Sequence, residues 1–160
     1  MAELRDVVAY LCQNYPRPGE LSKARLTKMV YLADWRSAIT RGRQVTRIVW
    51  EFHQYGPYVD DIVSMARSDP AFEVSAGSTP YGTGKETIRL IESFGYASLD
   101  KADRRVLDFV IDKTAPKTWD EFMRLVYSTY PIITQPRYAK LNLVDLARRY
   151  QKDRPMFDIA

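Results

Sequence analysis

A glycine-rich run ending in lysine can cradle phosphate with backbone N–H groups, and the chain carries one such fragment, Gly82-Thr83-Gly84-Lys85. Its chemistry fails at two positions. A phosphate loop needs an earlier glycine where Thr79 stands, and a serine or threonine for magnesium where Glu86 stands. A strand pattern follows rather than a helix, so a hairpin tip is the better reading. His53 is the only histidine. Without a second histidine or a nearby cysteine it predicts neither a zinc site nor a nucleophile's base, and a strand residue hydrogen-bonded to a neighbour is expected. Asp60 and Asp61 point about 100° apart on a helix, so at a helix start they complement the backbone dipole rather than form an acid–base pair. Cys12 has no second cysteine with which to form a disulfide or a cysteine-based zinc site, and reads as a small core residue. No catalytic set, metal site or cofactor motif is therefore expected, and the chain does not read as an enzyme.

Two constellations remain. Met29-Val30-Tyr31-Leu32-Ala33-Asp34-Trp35 is apolar on every side of a helix except for Asp34. A helix of that kind belongs at the centre of a domain, and a carboxylate buried there needs an ion-pair or hydrogen-bond partner. Arg36, Arg41 and Arg47 are the nearby candidates. Those three and Arg43 also fall in a window with no acidic residue after Asp34, flanked by Trp35 and Trp50. Arginine and tryptophan are enriched at interface hot spots and also serve nucleic-acid backbones and stacked bases. Trp35, Arg36, Arg41, Arg43 and Arg47 are thus the candidate partner-binding residues, against the plainer reading of a solvated basic turn beside core tryptophans.

Composition narrows the partner only slightly. Lys and Arg number 24 against 20 acidic residues, a net charge of +4, which is a small excess beside that of dedicated nucleic-acid modules. Arginine outnumbers lysine 16 to 8, favouring planar bidentate pairing with carboxylate or phosphate, and an acidic protein surface meets that need as well as DNA. The 160 residues fit one domain, and chains of this size bury about 70% of their unfolded surface. No apolar run approaches the ~20 residues that span a bilayer, and Met1-Ala2-Glu3-Leu4-Arg5-Asp6 lacks a secretory signal's pattern. A cytoplasmic protein with no membrane association is expected.

The elements that would position these residues follow from periodicity and breakers. Leu4, Val7, Val8, Leu11 and Cys12 predict a first amphipathic helix, ended by Tyr15-Pro16-Arg17-Pro18-Gly19. The central helix runs from about 21 to 39, with Gly42 as its punctuation. Residues 47–52 suggest a strand, and Pro57 is expected to open a helix ending near Arg67. Phe72-Glu73-Val74 and Thr87-Ile88-Arg89-Leu90-Ile91 predict a hairpin around a polar tip. Leu99 to Ile111 carries helical spacing, Thr118-Trp119-Asp120-Glu121 is a capping box, and Tyr130-Pro131 is expected to stop the helix it starts. Asn142 is a candidate N-cap for a last helix, and residues 154–160 read as a tail on a single domain of residues 1–153. The fold class is α+β and mostly helical: a helix bundle around a central apolar helix, with a small antiparallel sheet or hairpin.

Leu26-Thr27-Lys28-Met29-Val30-Tyr31-Leu32-Ala33-Asp34-Trp35, followed by Glu51-Phe52-His53-Gln54-Tyr55-Gly56-Pro57-Tyr58-Val59, resembles the Panacea, or SocA-like, antitoxin domain. Lys28, Tyr31, Ala33, Tyr55, Gly56 and Pro57 keep the family's pattern. Leu32 replaces a frequent second tyrosine, and His53 a usual aromatic. With Asp34 and Trp50, the residues Lys28, Tyr31, Tyr55, Gly56 and Pro57 are expected to hold the motif's fold. The resemblance implies an antitoxin that neutralises a cognate toxin encoded nearby by complex formation, blocking it or placing it under a chaperone or protease. Two rivals stand beside it. One is a winged-helix-like DNA-binding regulator using the hairpin as a wing, with Lys85 and Arg89 on phosphates. The other is a phage or mobile-element protein of the same fold that binds a host protein.

Overall fold

The computed structural model describes residues 1–78 and 84–157. Helix α1 (Leu4–Asn14) leads through a 3-10 turn at Pro18–Glu20 into α2 (Lys23–Arg41), which packs against every neighbouring layer. Ser22 caps α2 by accepting from the N–H of Arg25, and Gly42 ends it in the left-handed region at φ 73°, where a side chain would be strained. Leu26, Met29, Val30, Tyr31 and Ala33 are fully buried, as expected for a helix with no solvent stripe.

Three antiparallel strands lie beside α2 in the order β2-β1-β5: β1 (Trp50–His53), β2 (Gly56–Tyr58) and β5 (Lys140–Leu141). Here the expectation for Pro57 is corrected. Gly56, at φ 100°, turns the chain back on itself, Pro57 pairs with Phe52 within β2, and the next helix starts only at Asp61. Proline is tolerated there because β2 is an edge strand, with a side that needs no ladder N–H.

Helix α3 (Asp61–Ser68) precedes the antiparallel hairpin of β3 (Phe72–Ser78) and β4 (Gly84–Leu90). The hairpin docks on the start of α2: Ile88 donates to the Leu21 carbonyl at 3.0 Å, and Glu86 pairs with Lys23 at 3.0 Å and with Arg67. The expected tip, with Thr79, Gly82 and Thr83, falls largely outside the described residues, and β4 follows it rather than a helix. Helix α4 (Lys101–Thr114) opens with a capping box between Asp100 and Asp103. Helix α5 (Trp119–Tyr127) opens with the expected one between Thr118 and Glu121. Tyr130-Pro131 does not merely stop α5. Proline's fixed φ suits a helix's first turn, and it begins α6 (Tyr130–Thr134). The last helix, α7 (Leu143–Phe157), begins after Asn142, whose Oδ1 accepts from the N–H of Asp145 at 3.0 Å. It continues through residues 154–157, assigned to a tail on sequence; residues 158–160 lie outside the described set. No described helix is long and apolar enough to cross a membrane.

Candidate partner-binding surface

Asp34 is fully buried on α2, and its partners correct the arginine expectation. Thr46 donates its backbone N–H at 2.9 Å and its hydroxyl at 2.6 Å, the Trp50 indole donates at 2.9 Å, and the Gln44 amide at 3.2 Å. Four neutral donors from one loop and strand replace the ion pair. Burial pushes the carboxyl up to about 6, while the Thr46 and Trp50 hydrogen bonds oppose that shift by favouring the anion. Trp50 packs edge-on to Tyr31, whose hydroxyl bonds Thr129 at 2.8 Å, so this hub ties α2, β1 and the turn before α6 together. It is an internal clamp on the fold.

The arginine window is divided by the fold. Trp35 is buried, stacked on Tyr130 and edge-on to Tyr150. Arg41 bonds Asp103 at 2.8 Å and Ser37 at 2.9 Å, and its other terminal nitrogen lies 3.9 Å from Asp100. Arg43, half exposed, lies 3.8 Å from the same Asp100. Arg36 is exposed, with its guanidinium 4.0 Å from the centre of the Phe109 ring. Arg47 is exposed and makes no hydrogen bond or ion pair among the described residues. Arg41 and Arg43 therefore converge on α4's first turn, and the acidic partners missing from the local sequence arrive from residues 100 and 103. His53, as expected, is a strand residue bonded to a neighbour, Glu51, at 2.8 Å.

A different surface emerges around Trp119, at the first position of α5. A cavity of about 580 Å³ lies between α2, the β1–β2 hairpin and α5, with Tyr55, Tyr58, Trp119, Met123 and Tyr138 on its walls and Lys28 among its lining residues. Tyr55 and Tyr138 are each 70% exposed and Trp119 45%. Tyr55, a residue of the family motif, stands on the surface. Tyr138 adopts φ 70°, a conformation rare for a bulky residue, and its backbone N–H is held by the Phe52 carbonyl. Lys28 is 3% exposed, with no hydrogen bond or ion pair among the described residues. Burial pulls its amine down to about 8.

On the other side of Trp119 lies a second cavity, of about 830 Å³, lined by Arg17, Arg25, Lys85 and Lys117 along with Glu20 and Glu86. Lys23, Ala24 and Trp119 line both cavities, so the two form adjoining halves of one surface. Arg25 is buried between the Tyr15 and Phe122 rings, donates to the Thr114 carbonyl at 3.0 Å, and leaves its Nε without a partner among the described residues.

A model of the family described as antitoxin SocA-like, Panacea domain, matches residues 26–131. The chain belongs to this family. Comparison with curated proteins and with solved structures finds no match. The matched span of the Panacea domain opens in the first turns of α2 and closes at the start of α6. It encloses the Asp34 hub, the Tyr55-Gly56-Pro57 turn and Trp119, whereas Tyr138 completes the aromatic cavity from outside it. Sequence reasoning missed Trp119 because it read that residue only as part of a capping box. The one available signal was a tryptophan at a helix's first position, where no heptad-like spacing assigns it to the core.

Proposed function

We propose that this Panacea domain is an antitoxin that neutralises a cognate toxin by binding it, with the Trp119-centred surface as the principal contact. Membership of an antitoxin family supports the role. The observation that supports the location is the exposure of Tyr55, Trp119 and Tyr138 around one concavity. Large aromatic side chains left in water around a pocket are the usual anchors of a protein interface, where a few residues carry most of the affinity. The exposed arginines Arg36, Arg43 and Arg47, with Arg41 and Trp35 supporting them from the interior, form a second contact region. A chaperone or protease that receives the bound toxin belongs to the same reading, as does a cytoplasmic setting.

The test is coexpression with the products of neighbouring genes, scored by growth and by copurification. Rescue of growth from one toxic neighbour, with a stable complex, is the expected result. Loss of that complex in Trp119→Ala or Tyr138→Ala, with folding intact, locates it. No complex with any neighbour, together with binding to DNA that weakens steeply with salt, would replace this reading with a nucleic-acid one.

A further inference from the structure

We propose that the cavity beside Lys28 receives a carboxylate side chain of the bound protein, carried on a largely apolar segment, and that Lys28 determines specificity for it. This deepens the partner-binding reading above and rests on it. Lys28 and Asp34 are both buried charged side chains on α2, and the fold treats them differently. Asp34 has four donors; Lys28, less than two turns earlier on α2, has no protein acceptor for its three N–H groups among the described residues. A buried ammonium without a counter-charge is costly, and a methionine would fill the same space without that cost. The lysine stem lies against the turn of the hairpin, where a Cβ added at Gly56 would sit 3.7 Å from Lys28 Cε. That places the charge among the residues that wall the aromatic cavity.

The walls select the occupant. At about 580 Å³ the cavity suits one or two side chains. A nucleic-acid backbone would bring several phosphates past Glu51, which bonds His53, and past Asp60, which accepts from the Tyr58 hydroxyl at 3.0 Å. Those carboxylates repel a polyanion but leave room for a single carboxylate set deep between aromatic rings. Acidic residues flanking it on the same segment would meet Arg17, Lys85 and Lys117 in the adjoining cavity.

Two measurements decide this. In the first, the lysine side-chain amines of the intact chain are followed by NMR, with Lys28 assigned by its loss in Lys28→Gln, while 3-phenylpropionate, 3-phenylpropanamide or phenyl phosphate is added. The carboxylate should shift the Lys28 signal and raise its pKa from about 8 towards the ordinary 10.5; the neutral amide should do neither. A Lys28 signal indifferent to millimolar 3-phenylpropionate, or equally responsive to the amide, overturns the proposal. Tighter binding of phenyl phosphate overturns it in favour of a phosphorylated ligand. The second measures affinity for the cognate toxin in Lys28→Gln and Lys28→Met, where the loss of one charge-assisted hydrogen bond predicts weakening by about 10- to 100-fold. Unchanged affinity defeats the Lys28 proposal and leaves the antitoxin reading intact. If no toxin binds the unaltered chain, the antitoxin reading fails, and the phenylpropionate titration alone judges the pocket.

Discussion

Replacing Lys28 by methionine should make the domain more stable while weakening its grip on a partner. The amine's pKa falls from the ordinary 10.5 to about 8 because burial disfavours the ammonium. At about 1.4 kcal/mol per pH unit, holding it charged at pH 7 costs the fold about 3 kcal/mol. Below pH 8 folded and unfolded chains both carry the proton, so the full cost is present. Between pH 8 and 10.5 the folded chain releases its proton first, and stability recovers; above 10.5 both forms are neutral and the cost has gone. Lys28→Met lacks this cycle. Its advantage should be about 3 kcal/mol at pH 7, or roughly 6–12 °C in Tm for a chain of this size, and should shrink towards zero near pH 10.5. Urea denaturation of both proteins at pH 7 and pH 10, followed by tryptophan fluorescence, measures the gap. Lys23, His53, Tyr55, Tyr58, Tyr127 and Tyr138 border the same region, but they are present in both proteins and cancel in the difference. A methionine variant less stable than the parent at pH 7, or a gap unchanged at pH 10, would refute the claim that Lys28 is an uncompensated charge.

Asp34→Ala should destabilise by about 3–5 kcal/mol in the same denaturation assay, because the Thr46 N–H and hydroxyl and the Trp50 indole lose a buried anionic acceptor at once. Thr118→Ala removes the hydroxyl that accepts from the Glu121 N–H, and a loss of about 1 kcal/mol is expected, visible as a lower urea midpoint. Arg41→Ala and Arg47→Ala should separate within the arginine window. The first strands Asp103 and lowers stability by about 1–3 kcal/mol. The second should stay within about 0.5 kcal/mol of the parent, so any effect of it on toxin binding can be read as a direct contact.

The architecture was legible wherever a local rule operated alone. The apolar surface of Met29–Trp35, broken only by Asp34, placed α2 at the centre, Gly42 ended it, and the Thr118–Glu121 and Asn142 caps opened their helices where expected. Legibility failed where a tertiary choice overrode local preference. Pro57 suits a helix start, but pairing with β1 held it in a strand. The partners of Asp34 were misjudged because charge attracts attention to charge, whereas Thr46, Gln44 and Trp50 supply neutral donors at the distances that burial requires. Arg41 and Arg43 looked unopposed because Asp100 and Asp103 lie some sixty residues away. The aromatic cavity was least visible, because its walls come from α2, the β1–β2 hairpin, α5 and the segment before β5, and no spacing rule joins them. Lys28 was recognised as part of a motif, but only the fold shows that it is buried, with no ion pair among the described residues.

The most direct measurement is growth rescue and copurification with each neighbouring gene product, carried out in parallel for the parent chain, Trp119→Ala and Lys28→Met. An antitoxin that binds through the aromatic cavity predicts rescue and a stable complex with one toxic neighbour in the parent, loss of both in Trp119→Ala, and a complex weakened about 10- to 100-fold in Lys28→Met, while each variant stays folded. Rescue undiminished in both variants would contradict the placement of the interface, and a parent chain that neither rescues nor copurifies any neighbour would contradict the function itself.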